Sequence, residues 1–432
     1  MRKVDWILTI VFVLVVGGLG TMIWFLLGGN GQSSEYEYGG VPIIDISLNN
    51  VSVEQIDEGS KETKYYGNKV TIYNSDEAES FTNVEIKGRG NGTWIQKKKP
   101  YRIKFEEKID LFGMGKAKTW CLLANALDDT KLRTETAFRL AKMLEMEYSM
   151  EGRFVELYMD GEYRGLYYLT HEMGIGKSGV NLKDPLGVLV ELDNLYWANE
   201  KYYTTLNDDK LVAKDAVVDD NAELAMELFL EKFNLLEAAI REKDFAKIEE
   251  LADVESFAKY YLLSEFIVNP DAYWTSFYFY MDGAKDKIHA GPGWDFDLAF
   301  ANRKWGNWLG DRFYSPTETM IRREELMSEE EYAKRGLDNW VSSGWALAKI
   351  MFNLMEVPEF HDEVERVFNA CLLGKKEEII NGVIASADKI EGLVKKDEEE
   401  WGEEGFREGV NEMVEWISQR YDYIESIYKI SN

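Results

Sequence analysis

The chain has 432 residues and a net charge of −28; its first 34 residues carry a net +1, so the rest carries −29. A surface this acidic argues against nucleic acid and anionic lipid as general binding partners. The apolar fraction of 45% and the charged fraction of 30% are typical of a globular protein, and the length suits one large domain or two lobes that share a cleft.

Residues 6–27 form an uncharged, apolar run that is long enough to cross a bilayer as one helix. Because two basic residues precede it, the positive-inside tendency predicts a cytoplasmic N-terminus at residues 1–5 and an extracytoplasmic body. A cleaved signal peptide is the alternative interpretation. Residues 28–40, rich in glycine and serine, are predicted to link the membrane helix to a domain of residues 41–432.

The first part of this domain, about residues 41–193, has the pattern of a β-rich lobe with one helix. The helix is predicted at 131–145, with Asp129 or Thr130 as its N-cap. The Asp160-Gly161 pair predicts a tight hairpin turn between two further strands. The other strands are predicted at 42–49, 69–74, 82–88, 101–106, 119–124 and 187–193.

The second part, about residues 194–432, has mainly helical spacing, with helices predicted at 223–245, at 255–268 and from about residue 316 onward. A hairpin interrupts them near residues 276–297. The Glu- and Lys-rich stretch 395–404 is predicted to be a solvated helix face or loop. The order of elements therefore predicts an α+β fold of two lobes, with a ligand cleft between them.

Cysteine and histidine are too scarce to form a disulfide framework or a histidine-based metal centre. Cys121 and Cys371 lie far apart in apolar runs, which favours two buried thiols and leaves their pairing open. The three histidines are scattered, which argues against a histidine-based metal centre.

A glycine-rich, basic segment follows the strand predicted at 82–88. Between Ile86 and Phe105 the chain has seven basic residues and no acidic one. Its glycines are Gly88, Gly90 and Gly92, and its cations are Lys87, Arg89, Lys97, Lys98, Lys99, Arg102 and Lys104. Glycine turns let backbone amides approach phosphate oxygens, and nearby cations offset the phosphate charge. The same pattern also fits a polar hairpin with glycines in its turn.

A second motif lies near the predicted hairpin of the second part. Asp271 follows a helix, Ser276 comes five residues later, and Asp295 and Asp297 follow the return strand. Kinases place a catalytic aspartate, a metal ligand and a metal-binding aspartate in this order. Magnesium prefers hard oxygen ligands of this kind. Solubilising acids at loop ends are the alternative interpretation.

Six blocks of the chain, in order, resemble the CotH (spore coat protein H) kinase family over about residues 40–430. The blocks are IKGRGNGTW with KKPYRIKF, TWCLLANALDDTKLRTETAFRLAKML, FVELYMDGEYRGLYYLTHEM, VLVELDN, NPDAYWTSFYFY and GPGWDFDLAF. The resemblance implies an atypical protein-kinase-like fold that uses ATP and a divalent metal, Mg²⁺ or Mn²⁺. Members of the family include extracytoplasmic and spore coat proteins, and some relatives act as surface adhesins.

The resemblance also implies residue roles. Asp271 is similar to the catalytic-loop aspartate, and Asp295 to the metal-binding aspartate. Lys104 is the first candidate for the phosphate-binding lysine, with Lys87 and Arg102 as rivals. Glu191 lies in a shared block without an assigned role.

The chain departs from the family pattern at two positions. Ser276 stands where many relatives have asparagine as the second metal ligand, and its hydroxyl still offers an oxygen. Ala301 stands where glycine is common.

Three function hypotheses follow from the sequence. The first is a kinase that phosphorylates serine or threonine of an extracytoplasmic or cell-surface protein. The second is a surface-binding or adhesive protein that keeps the fold with little catalysis, since ATP is scarce outside the cell. A carbohydrate-processing enzyme, which would use paired carboxylates and cleft tryptophans, is a third and weaker hypothesis.

Overall fold

The computed structural model describes residues 36, 38–75, 77–193, 201–206, 209–269, 275–302 and 346–430. Its strands are β1 (Ile43–Ser47), β2 (Tyr65–Asn74), β3 (Glu77–Gly88), β4 (Tyr101–Asp110), β5 (Lys116–Leu123), β6 (Gly152–Met159), β7 (Glu162–His171), β8 (Gly187–Asp193), β9 (Tyr202–Thr204), β10 (Lys210–Ala216), β11 (Thr275–Asp282) and β12 (His289–Ala290). Its helices are α1 (Val53–Asp57), α2 (Arg133–Met143), α3 (Ala222–Glu242), α4 (Phe245–Leu251), α5 (Val254–Ile267), α6 (Ala346–Met355), α7 (Pro358–Cys371), α8 (Lys376–Trp401) and α9 (Phe406–Tyr428).

The first seven strands form a closed barrel in the order β1-β2-β3-β4-β5-β7-β6. The barrel closes because β1 pairs in parallel with β6, while the other neighbours pair antiparallel. Large side chains such as Trp120, Tyr101 and Tyr167 are buried in its apolar interior. The alternation of apolar and polar residues that predicts these strands therefore separates the inside of the barrel from its outside.

The remaining five strands form a second sheet in the order β12-β11-β8-β10-β9. Its central strand, β8, belongs to the predicted β-rich part of the chain, but it pairs with β11 and β10 from the other part. Helices α3 and α5 pack on this sheet, and α7 packs on α5. The α+β prediction is thus confirmed, and the second sheet joins residues from both predicted parts.

Most predicted elements are present with shifted ends. The hairpin turn at Asp160-Gly161 is confirmed, with both residues at positive φ (51° and 81°). The predicted N-cap of α2 is wrong: the helix begins after Leu132, without a side-chain cap. The physical reason is that Asp128 accepts a hydrogen bond from the Arg133 amide (2.9 Å) and thereby closes the turn before the helix.

The solvated stretch predicted at 395–404 is mostly correct, because it ends helix α8 with its glutamates largely exposed. Asp397 is the exception, with 0% of its side chain exposed. Both cysteines are free thiols; Cys121 is buried and Cys371 is half-buried. Among the described residues no helix has the length and apolarity to cross a membrane, and residues 6–27 lie outside that part of the chain.

Candidate active site

The glycine-rich segment connects β3 to β4. Gly88 ends β3 so close to Trp94 that an added Cβ would lie 2.5 Å from the indole ring. Gly90 has φ +77°, and an added Cβ there would lie 2.1 Å from Thr93 Oγ1. The carbonyl of Gly92 accepts a hydrogen bond from the Gln96 side chain (3.1 Å). At Gly88 and Gly90 the tight path of the chain therefore requires glycine.

Two of the three consecutive lysines of this segment, Lys97 and Lys98, have different surroundings. Lys97 is exposed, whereas the Lys98 side chain is only 1% exposed. The Lys98 amine lies 2.6 Å from Asp397 Oδ1 and donates to the Leu166 carbonyl at 2.7 Å. Burial lowers the pKa of Lys98 to about 8, although the Asp397 carboxylate opposes this shift. Lys98 therefore joins the barrel to helix α8 and is not available to a phosphate.

The candidate phosphate-binding lysine, Lys104, lies on β4 between Glu85 of β3 and Thr119 of β5 and is exposed. Its rival Arg102 is on the same face and forms ion pairs with Glu85 (3.3 Å) and Glu172 (3.5 Å). The other rival, Lys87, pairs with Glu62 at 3.0 Å. Both rivals are therefore already engaged by carboxylates.

Ser276 and Asp295, the two candidate metal ligands in the described residues, lie side by side. Ser276 Oγ is 3.5 Å from Asp295 Oδ2, at the outer limit of a hydrogen bond. Both residues have left-handed backbone conformations, with φ 54° and 64°. The Asn269 side chain donates to the Asp295 carbonyl at 3.3 Å. Asp271 lies outside the described residues.

Charged side chains from three other strands or loops surround Asp295. The carboxylate is accessible to solvent but has protein on several sides, and this partial desolvation raises its pKa. Glu191 raises the pKa of Asp295 further, whereas the charges of Arg89 and Lys214 and the hydrogen bond with Ser276 lower it. Arg89 also lies over the ring of Trp294, 5.7 Å from its centroid. The glycine-rich segment and the aspartate block, which the sequence places some 200 residues apart, thus meet at one site.

The same site contains an ion pair on the second sheet. Lys214 Nζ of β10 lies 3.0 Å from Glu191 Oε2 of β8. Partial desolvation lowers the pKa of the Lys214 amine, but Glu191 and Glu172 outweigh this effect and the net shift is upward. Tyr278 of β11 lies directly opposite Glu191 in the sheet, and burial and the nearby Glu191 carboxylate raise the pKa of its hydroxyl. Glu191 is therefore held between a lysine and a tyrosine, close to Asp295.

The turn after the aspartate block is fixed to the start of helix α2. The side-chain amide of Asn302 donates to the backbone carbonyls of Asp297 (2.6 Å) and Leu127 (2.8 Å). Arg133 Nε donates to the Ala299 carbonyl at 3.0 Å. These contacts hold the backbone that carries Asp295, and Asp297 supports the turn through its main chain.

The donor set at Asp295 suits a hard divalent cation. Carboxylate and hydroxyl oxygens are the ligands that Mg²⁺ and Mn²⁺ take in proteins, together with water and substrate phosphates. A second group of possible ligands, His361, Asp362 and Glu365, lies on the surface of α7 with its atoms within 4.8 Å of one another. Exposed acidic groups of this kind are common without a metal, whereas Asp295 and Ser276 lie near Arg89 of the glycine-rich segment, so they remain the candidate metal ligands.

Two site residues were missed by the sequence analysis. Arg89 is part of the basic segment but was not singled out, because its contact with Trp294 depends on the tertiary fold. Lys214 lies on β10, a strand that was not predicted from the sequence. The alternation in the sequence KLVAKDA could have indicated the strand, but not that it pairs with β8.

Comparison with known proteins is consistent with this geometry. Residues 84–424 match the family model described as CotH kinase protein. No curated protein sequence matches significantly. Among solved structures, the crystal structure of the Helicobacter pylori proinflammatory kinase CtkA aligns with 90% of this chain and 100% of its own, at 8% identity and a TM-score of 0.23. That similarity is too low to carry an argument.

Proposed function

The chain belongs to the CotH kinase family, and from this premise we propose that it is an ATP- and divalent-metal-dependent phosphotransferase. Its acceptor would be a serine or threonine hydroxyl of an extracytoplasmic or cell-surface protein. The observation that carries the proposal is the meeting of the glycine-rich segment, through Arg89, with the block that contains Asp295. Phosphoryl transfer needs cations and a metal-binding carboxylate at one place.

The residue roles follow from this proposal. Asp295, with the Ser276 hydroxyl, would hold Mg²⁺ or Mn²⁺, which when bound offsets negative charge on the phosphates. The backbone of Gly88, Gly90 and Gly92 and the side chain of Lys104 would bind the nucleotide phosphates. Asp271 would orient the acceptor hydroxyl and accept its proton as the hydroxyl oxygen bonds to the terminal phosphorus and ADP leaves.

The alternative is a surface-binding or adhesive protein with little catalysis. The observation that favours it is Ser276, whose hydroxyl replaces the asparagine amide of many relatives and lies at the outer hydrogen-bond limit from Asp295. A body outside the cytoplasm also meets little ATP. We propose this location, with residues 6–27 as the membrane anchor, from the apolar run and the basic residues before it.

The test is a pair of charge-removing variants of the purified body. Asp295→Asn should lose both metal-dependent ATP binding and label transfer, because a neutral amide holds a hard cation poorly. Asp271→Asn should keep binding and lose mainly turnover. Binding is measured by calorimetry with Mg²⁺ or Mn²⁺, and transfer with labelled ATP.

The matched control is Asp220→Asn, an exposed aspartate before helix α3. It should bind ATP and transfer label as the wild type does. Wild-type transfer by both site variants would contradict the kinase proposal, and so would a wild-type protein that never binds ATP.

A further inference from the structure

The feature that extends this picture is the position of Lys214 in strand β10. The pairing of β10 with β8 shifts register between Ala213 and Asp215, so Lys214 is the extra residue of a β-bulge. A bulge changes the direction of a side chain, and bulges are frequent beside active sites. The other neighbour of β8, strand β11, also has a β-bulge, because its register shifts between Thr275 and Phe277, at Ser276. Both edges of β8 are therefore distorted where the site is formed.

The Lys214 side chain lies among the groups of the site. Its amine is 3.0 Å from Glu191 and 5.9 Å from the centroid of the Tyr278 ring. Its positive charge also lowers the pKa of Asp295, against the effect of desolvation. On the barrel side, burial and Glu172 raise the pKa of the Cys121 thiol, and the charges of Arg89, Arg102 and Lys214 all oppose this shift, so these three cations lie near the same thiol. The barrel and the second sheet thus direct cations toward one shared region, at which a triphosphate would need them.

Lys214 also keeps access to solvent. Its side chain is 34% exposed, whereas that of Glu191 is 14% exposed. An ion pair that served only to join β8 and β10 would need no bulge, since the two strands are already hydrogen-bonded on both sides of it. A lysine held by a glutamate at the nucleotide phosphates is a requirement in protein kinases, where the two residues come from a strand and a helix. In this chain both residues of the pair come from one sheet.

We propose that Lys214 is a nucleotide-phosphate-binding residue of this chain and that Glu191 is the positioning residue that holds its amine in place. This inference rests on the proposed phosphotransferase function. It assigns Glu191 a role and places a phosphate-binding cation on the second sheet rather than only on the barrel.

The experiment measures Mg·ATP binding to the purified body by calorimetry for three matched variants. Lys214→Met removes the charge but keeps a long side chain, and it should weaken binding by about 10- to 100-fold, since a charge-assisted hydrogen bond contributes about 1.5–3 kcal/mol. Lys104→Met tests the lysine on β4. Lys69→Met, an exposed lysine of β2 opposite Ser47, is the control and should bind as the wild type does.

A second readout separates positioning from structural support. Lysines are labelled with an amine-reactive reagent, with and without Mg·ATP, and quantified by mass spectrometry. Mg·ATP should protect Lys214 but not Lys69 in the wild type. Glu191→Gln, which keeps the size and hydrogen-bonding capacity of the side chain, should reduce this protection and raise the KM for ATP more than it lowers kcat, at an unchanged melting temperature.

The outcomes distinguish the inference from the function on which it rests. If the wild type binds Mg·ATP and Lys214→Met binds equally well, the inference is wrong and the phosphotransferase proposal stands. If Glu191→Gln lowers the melting temperature but leaves ATP binding and protection intact, the pair is structural only. If the wild type does not bind ATP with either metal, both proposals fail.

Discussion

Around the candidate metal ligands, individual residues adopt a backbone conformation that non-glycine residues rarely take. Ser276, Asp295, Phe300 and Ala301 all have φ between 52° and 64°. Each such residue costs of order 1–2 kcal/mol, and such residues concentrate at functional sites when surrounding contacts hold them in place. Hydrogen bonds from Asn269 and Asn302 provide such contacts here. At Ser276 and Asp295 the strained conformation presents oxygen atoms, whereas at Ala301 no functional group benefits from it.

Ala301 therefore provides a test of this strain. Ala301→Gly should stabilise the protein, because glycine adopts φ +52° without steric cost. The gain should be about 1 kcal/mol or less, since the added freedom of glycine in the unfolded chain offsets part of the relief. Urea unfolding of the two proteins measures the difference. The control is Ala385→Gly, an exposed alanine in the middle of helix α8, which should lower stability by about 1 kcal/mol; a destabilising effect at both positions would contradict the argument.

At the scale of elements, helix α8 is fastened to the barrel by buried polar contacts. Asp397 accepts hydrogen bonds from the Lys98 amine (2.6 Å) and the Leu166 amide (2.9 Å). Gly165 is required beside them, because an added Cβ would lie 2.2 Å from Asp397 Oδ1. The Trp401 indole donates to the Arg164 carbonyl at 3.1 Å. The end of the glycine-rich segment is thus anchored to a helix that begins almost 280 residues later in the chain.

Removing Asp397 alone should lower the unfolding free energy more than replacing both Asp397 and Lys98 by apolar residues. Asp397→Ala leaves the Lys98 charge buried without its carboxylate and should cost about 3–5 kcal/mol of unfolding free energy. The double variant Lys98→Met with Asp397→Leu should recover part of that loss, because the two apolar side chains need no partner, while the Leu166 amide and the buried Lys131 still lose Asp397. Denaturant unfolding measures each value.

The exposed pair between Lys376 and Asp422 (2.8 Å) is the matched control. Asp422→Ala should cost less than about 1 kcal/mol, as exposed ion pairs usually do. A comparable loss for Asp397→Ala would show that the buried pair contributes little.

At the scale of the whole molecule, the barrel and the second sheet each complete the other's part of the site. Arg89 and Arg102 come from the barrel, whereas Glu191, Lys214, Ser276 and Asp295 come from the second sheet and its loop. Neither unit contains both the glycine-rich segment and the candidate metal ligands. A phosphotransferase site in this chain therefore depends on the two units staying together.

The orientation of the whole chain gives a separate prediction. If residues 6–27 anchor the protein with its body outside, protease added to intact cells should digest the body. A cytoplasmic marker protein in the same cells is the control and should stay intact until lysis. Digestion of the body only after lysis would reverse the proposed orientation.

The sequence by itself determined the local structure and the main ingredients of the site. Period-two alternation identified the barrel strands and β8, the Asp160-Gly161 pair identified the hairpin, and helical spacing identified α3 and α5. The motif order selected Asp295 and Ser276, which lie together. These features depend on contacts between residues close in the chain, so a local pattern is sufficient to reveal them.

Only the tertiary structure decided which distant residues meet. The sequence places Lys98 in the basic glycine-rich segment and Asp397 in the predicted solvated stretch 395–404, but their mutual contact allows both side chains to be buried. The strand β8 reads as part of the first lobe, but its hydrogen bonds go to β10 and β11. Lys214 lies at the site because of a β-bulge in β10, which no periodic sequence pattern predicts. Strand pairing and burial depend on the whole chain and not on any one segment.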